Sequence, residues 1–104
     1  MTDRFSGFDE FIHPQPRISI MSILFSAEWV AFSYLRQELK SSDSAISKQI
    51  SALENKGYVT TEKVSTFGRP RVNIQMTPEG RSAFQKHANA LQSMITMIRD
   101  KPTP

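Results

Sequence analysis

Ser44, Ser47, Lys48 and Ser51 share one short stretch of chain with Ile46, Ile50 and Leu53. At about 100° per residue of helix, Ile50 and Leu53 fall within about 40° of Ile46. Ser44, Lys48, Ser51 and Asn55 then fall on the far side, with Ser47 at the flank. A helix face that only meets water usually carries more Glu and Lys, because those residues favour helix. Serines cost helix stability, but they let another backbone approach, and their hydroxyls bond to phosphates and base edges. The chemistry on offer is therefore hydrogen bonding to a polyanion. The plainer alternative is an ordinary solvated face.

A second cationic group lies downstream in Gly68-Arg69-Pro70-Arg71. Proline restricts the backbone between the two arginines, so their guanidinium groups are presented with less entropic loss than on a free loop. Arginine suits phosphate forks and narrow minor grooves. Taken singly, each arginine could simply solubilise a turn. The charge distribution supports the joint reading. Residues 1–35 hold two basic and four acidic side chains, whereas residues 36–71 hold seven basic and four acidic. The net charge of +3 is mild, but its positive excess sits where these motifs lie.

Other chemistries lack their residues. There is no cysteine among the 104 residues, which excludes disulfides, thiolate metal sites and cysteine nucleophiles, and suggests a reducing cytoplasm. His13 and His87 are the two histidines. His87, near an apolar helical stripe, is expected at the polar edge of a packed surface. No HExxH, GxSxG or phosphate-binding glycine loop is present, and no acid, base and nucleophile converge, so an enzyme is not expected. No cofactor or metal is implied, and the five methionines read as core filler. No apolar run is long enough to span a membrane, and the N-terminal residues lack a secretory pattern.

The elements that must position the two motifs follow from periodicity. The length fits one domain over residues 1–104. Phe5, Phe8, Phe11 and Ile12 recur at helical spacing, so residues 1–13 are expected to form a docking segment. Proline then opens an apolar helix from about Pro16 to Phe25. Residues 28–32 are rich in strand formers. Ser33 is expected to cap a helix through Leu39. Ser42 or Asp43 can cap the next, which runs to about Lys56 and ends at Gly57. Residues 33–56 thus read as a helix-turn-helix. Residues 58–76 read as a hairpin, with strands over 58–64 and 72–76 and a long basic loop over 65–71. Thr77-Pro78-Glu79 opens a last helix over 78–99, about 33 Å long. The order predicts a mainly α, α+β fold: a winged helix-turn-helix with a two- or three-stranded β-wing and a long C-terminal helix.

Phe84, Ala88, Leu91, Ile95 and Ile98 step along that last helix by four, three, four and three, a heptad seam. A core helix covering the first helix would explain Phe84, but not a stripe continuing to Ile98. A homodimer is therefore expected, with Phe5, Phe8, Phe84, Ala88, Leu91, Ile95 and Ile98 at its interface.

The sequence resembles winged-helix transcriptional regulators of the MarR/ArsR-like group. The resemblance rests on Phe32-Ser33-Tyr34-Leu35, on the run from Asp43 to Ile50, and on Leu53-Glu54-Asn55-Lys56-Gly57-Tyr58-Val59. It continues in Gly68-Arg69-Pro70-Arg71, in Met76 through Arg81, and in His13-Pro14 with Arg17. It spans roughly residues 8–95. It implies a homodimeric DNA-binding regulator, and the leading reading is sequence-specific binding of double-stranded DNA by a dimer that acts as a repressor in the cytoplasm that the absence of cysteine suggests. It places Ser44, Ser47, Lys48 and Ser51 in the major groove, with Gln49 at the edge, and gives the wing role to Arg69 and Arg71. Where the family turn often has glycine and an apolar residue, this chain has Lys40 and Ser41. The sensor cysteines of metal-responsive ArsR proteins are absent, and no small-molecule effector is identified by the residues. The alternative function is a winged-helix protein-interaction module that does not touch DNA.

Overall fold

The computed structural model describes residues 5–99. Helix α1 (Gln15–Phe25) is followed by strand β1 (Val30–Ala31), α2 (Phe32–Glu38) and α3 (Asp43–Asn55). Strands β2 (Val59–Thr66) and β3 (Arg69–Met76) lead to α4 (Pro78–Arg99). The strands form one antiparallel sheet in the order β1-β3-β2. This is the expected α+β arrangement with a three-stranded wing.

The core gathers one face from each element. Ile20, Met21 and Leu24 of α1 meet Leu35 of α2, Ile46, Ile50 and Leu53 of α3, and Val59 and Ile74 of the sheet. The predicted inner stripe of α3 is the buried one. Residues 5–13 form turns rather than a continuous helix, and Ile12 is fully buried within this chain's own core. His87 is also fully buried, not at a polar edge. Its Nδ1 accepts from the Asp9 backbone N–H at 2.9 Å, and its Nε2 lies 3.2 Å from Nδ1 of His13.

The helix ends show how local chemistry sets the frame. Ser33 does not cap α2. Ala31, still paired in the sheet with Asn73, is the capping residue and supplies no side-chain bond. The turn between α2 and α3 closes through two backbone bonds, Ser41 N–H to the Arg36 carbonyl at 3.1 Å and Lys40 N–H to the Gln37 carbonyl at 3.2 Å. That pattern needs a left-handed residue after the cap. Lys40 takes that conformation at φ +49, so the departure from the family's glycine leaves the turn geometry intact. The end of α3 repeats the pattern, with Tyr58 N–H on the Leu53 carbonyl and Gly57 N–H on that of Glu54.

The hairpin differs from expectation. Its loop is not seven residues long, because Ser65 pairs with Pro70 and Thr66 with Arg69, carrying both strands to a tip of Phe67 and Gly68. Composition marks Gly68 to Arg71 as a turn, yet Pro70 is tolerated in the ladder because β1 covers β3 only at Asn73 and Ile74. Thr77 then caps α4, accepting from Gly80 N–H at 2.9 Å and donating its hydroxyl to the Gly57 carbonyl at 2.6 Å. A Cβ on Gly80 would lie 2.1 Å from the Tyr58 carbonyl oxygen. The end of α3, the exit of the hairpin and the start of α4 are therefore locked together.

Candidate nucleic-acid interface

An N-cap starts α3, and three side-chain contacts to other elements, besides core packing, fix its orientation. At its start, the Ser42 hydroxyl accepts from Ala45 N–H at 3.2 Å, and Arg36 Nε bonds to Asp43 at 2.9 Å. In the middle, Gln49 Oε1 accepts from Arg17 Nε at 2.9 Å. That guanidinium also donates to the Phe11 carbonyl at 3.1 Å and sits 4.3 Å above the Phe11 ring. At its end, Glu54 accepts from the Thr61 hydroxyl of β2 at 2.8 Å. The Arg36–Asp43 pair is largely solvated and contributes direction more than energy.

This leaves Ser44, Ser47, Lys48 and Ser51 exposed on one surface of α3. Gln49 differs. It is half-buried, and its amide oxygen is engaged with Arg17 inside the fold. Ser44 is exposed but has a local partner, with its hydroxyl 3.3 Å from that of Ser42.

The hairpin adjoins this surface. A cleft of about 330 Å³ between α3 and the sheet is lined by Ser47, Ser51, Glu54, Thr61, Val72 and Phe32. Phe32 and Val72 also border the neighbouring cleft, where Ser33, Lys63, Pro70 and Arg71 meet. The α3 cleft and the root of the wing therefore adjoin across an apolar strip of Phe32 and Val72. Arg69 and Arg71 are both exposed and, two residues apart on β3, project from one face of the strand. Lys63 is opposite Val72 on the other face. The arginines are thus presented by a strand, a stiffer support than the loop expected from composition.

A family model described as a winged helix DNA-binding domain matches residues 17–95. The chain belongs to that family. An uncharacterised protein of Methanocaldococcus jannaschii is 32% identical over 71 residues, which cover 68% of this chain and 77% of that one. Among solved structures, a transcriptional regulator homologue from Pyrococcus horikoshii superposes with a TM-score of 0.81 at 24% identity, covering 86% of this chain and 89% of the other. A structure from Enterococcus faecalis assigned to the MarR family of transcriptional regulators gives 0.77 at 22% identity, covering 88% and 82%. The likeness to these two structures is one of fold, and it agrees with the MarR/ArsR-like resemblance of the sequence. A family of DNA-binding domains, rather than of enzymes, accords with a sequence that has no convergent catalytic set.

In this winged helix the heptad seam of α4 divides in two. Phe84 packs on Phe25 with ring centroids 5.2 Å apart. Phe8, from the N-terminal segment, lies 4.7 Å from the His87 ring and 4.9 Å from that of His13. Phe5, Ala88 and Leu91 are half-buried. Beyond them Ile95 is 50% exposed and Ile98 71%, with Met97 beside them. The N-terminal half of the seam is filled within the chain, while its C-terminal half is open.

Lys63 and Thr61 are residues of the winged-helix surface that sequence reasoning passed over. The available signal was the two-residue alternation of β2, which sets Thr61, Lys63 and Ser65 on the face shared with Val72. Among the described residues no cluster of His, Asp and Glu could hold a metal ion. No helix there is long and apolar enough to cross a membrane.

Proposed function

We propose that this winged helix is a homodimeric transcriptional regulator that binds double-stranded DNA sequence-specifically and acts as a cytoplasmic repressor. The observation that carries the reading is the exposed face of Ser44, Ser47, Lys48 and Ser51 on α3 beside a hairpin whose exposed strand carries Arg69 and Arg71. Helix α3 lies in the major groove. Ser44, Ser47, Lys48 and Ser51 meet bases and phosphates there, while Gln49 positions the helix through Arg17. Arg69 and Arg71 meet the sugar–phosphate backbone or the adjacent minor groove.

Two copies associate through the open half of the α4 seam, centred on Leu91, Ile95 and Ile98. Exposed aliphatic residues at heptad spacing support that contact. Phe5, Phe8, Phe84 and Ala88 support it from within each subunit or from its margin. A two-fold axis would set the two α3 helices against half-sites about one helical turn apart. The fold relatives described as transcriptional regulators favour regulation over an architectural role. Occupying an operator with two protomers is a simple route to repression.

Binding-site selection from random duplex DNA, at a stated salt concentration, tests the proposal. An enriched palindrome is the expected product. Enrichment of a single asymmetric half-site would remove the dimer. No enrichment, with full-length chain that is folded, would favour the protein-interaction alternative.

A further inference from the structure

Phe67, at the tip of the wing, is 100% exposed. It adopts φ +52, and Gly68 beside it φ +76. Two-residue hairpin tips with both central residues at positive φ favour Asn, Asp or Gly in the first position. A bulky aromatic residue is rare in this left-handed region. Phe67 is thus unfavourable twice over, as an apolar ring in water and as a side chain on a backbone that suits asparagine. No packing among the described residues compensates. Residues kept in such conformations are concentrated at binding sites.

Its surroundings indicate the occupant. The last pair of the ladder is Thr66 with Arg69, and Arg71 follows two residues along on the same face. The ring therefore leads a two-stranded finger that carries the exposed cations Arg69 and Arg71 within four residues of the tip, with Ser65, Pro70 and, farther back, Glu62 also exposed. That combination suits a polyanion with apolar surfaces stacked inside it. Apolar side chains that enter the minor groove and part a base step, flanked by cations on the phosphates, are a recurrent way to kink a duplex. The geometry points to Phe67 as a wedge of this kind, entering the minor groove of bound DNA and partly unstacking one step. The inference rests on the DNA reading of the same hairpin. Its consequence is a second source of specificity. Pyrimidine–purine steps such as TA unstack most easily, so the wedge would select such a step at a fixed distance from the bases read by α3.

The test uses the full chain and two duplexes about two helical turns long. One alternates A and T. The other is an unbroken A-tract. Each carries 2-aminopurine in place of adenine on one strand. Fluorescence anisotropy reports binding at low salt, and 2-aminopurine emission reports unstacking. The wild-type chain should bind both duplexes and raise emission several-fold on the alternating one, with little change on the A-tract. Phe67→Ala should still bind but lose the rise, with affinity for the alternating duplex lowered about tenfold, of the order of one lost base–aromatic stack. Phe67→Leu should keep most of the rise. A full rise in Phe67→Ala, or wild-type binding without any rise, would overturn the wedge and leave DNA binding in place. No anisotropy change with the wild-type chain would overturn the DNA reading itself and the wedge with it. Weaker self-association of Phe67→Ala by sedimentation would overturn the wedge by making the ring a contact between copies.

Discussion

The backbone N–H of Asp9 donates to Nδ1 of His87 at 2.9 Å, across 78 positions of sequence. This bond assigns the histidine tautomer. With Nδ1 accepting, the neutral ring carries its proton on Nε2 and donates to Nδ1 of His13 at 3.2 Å. The Asp9 carboxylate is itself fully used. One oxygen accepts from Phe11 and Ile12 N–H groups at 2.9 and 3.1 Å, and the other from the Tyr58 hydroxyl at 2.7 Å. Burial, with Asp9 next to it, pushes the Tyr58 phenol up to about 12. The chain segment that begins the fold is thereby held to the middle of α4 by groups that admit one arrangement of protons.

Acid should undo this clasp. Burial lowers the His87 pKa below its ordinary value, as does His13, while Asp9 opposes them. A protonated His87 would need to donate at Nδ1, where the Asp9 N–H already points. Its unfolded form binds a proton near pH 6.5 and its folded form only below that, so the stabilising effect is complete above the unfolded pKa. Stability should be flat from about pH 7.5 to 8.5 and fall as pH drops through about 6.5, by at most about 1.4 kcal/mol per pH unit for one group. His87→Gln can still accept and donate, but it cannot titrate. Its thermal midpoint should lose most of the slope between about pH 5 and 7. An unchanged slope in that variant would assign the acid sensitivity to other groups.

Gly80 should resist replacement. A methyl group there would stand 2.1 Å from the Tyr58 carbonyl oxygen, which is backbone and accepts the Thr77 N–H. Relief requires α4 to move away from the end of α3. Gly80→Ala should therefore destabilise the chain by about 2–3 kcal/mol in urea unfolding, despite alanine's better helix propensity. A neutral or stabilising result would mean that the junction is looser than its hydrogen bonds indicate.

Phe67 predicts the opposite sign. Left-handed backbone costs a non-glycine residue roughly 1–2 kcal/mol, and asparagine bears it best. Because the ring makes no contact that stabilises the subunit, Phe67→Asn should raise the thermal midpoint by a few degrees. The wild-type residue then sits at a position where stability has been given up. A lower midpoint would show that the ring packs on something in solution.

What was legible in the sequence was what local chemistry decides. Ile46, Ile50 and Leu53 mark the buried stripe of α3 without help from the rest of the chain, so the serine and lysine surface opposite them could be read directly. Thr77, Pro78 and Gly57 mark helix ends in the same way. The wing tip could not be read, because Arg69 and Pro70, next to Gly68, look like loop residues until pairing with Thr66 and Ser65 draws them into a strand. Lys40 has no intrinsic preference for the left-handed region, and the two backbone bonds around it impose that conformation. His87 became a core residue only because Asp9 and His13 arrive from the other end of the chain to satisfy its nitrogens. Gln49 likewise stands at the edge of the outward face in the sequence, and it is Arg17, from α1, that engages its amide oxygen inside the fold.

Self-association should depend on the open end of α4. Ile95 and Ile98 are exposed in the subunit, so replacing both with glutamate leaves the core untouched. The wild-type chain should sediment at twice its own mass at micromolar concentration. Ile95→Glu with Ile98→Glu should sediment as a monomer with unchanged helix content. A monomeric wild-type chain, or a variant that still dimerises, would move the interface elsewhere.

The salt dependence of DNA binding separates the two parts of the proposed interface. Each phosphate neutralised by a cation releases counterions, so the slope of log affinity against log salt counts such contacts at slightly under one unit each. Arg69 and Arg71 are exposed and free of ion pairs among the described residues. Replacing both with alanine should weaken binding across sequences and flatten the slope by about two units. Ser47→Ala or Ser51→Ala, by contrast, should leave the slope alone and relax base preference at one position, with about 1–3 kcal/mol less discrimination. An unchanged slope in the double arginine variant would remove the wing from the phosphate contacts. Unchanged base preference in the serine variants would mean that those hydroxyls meet the backbone rather than base edges.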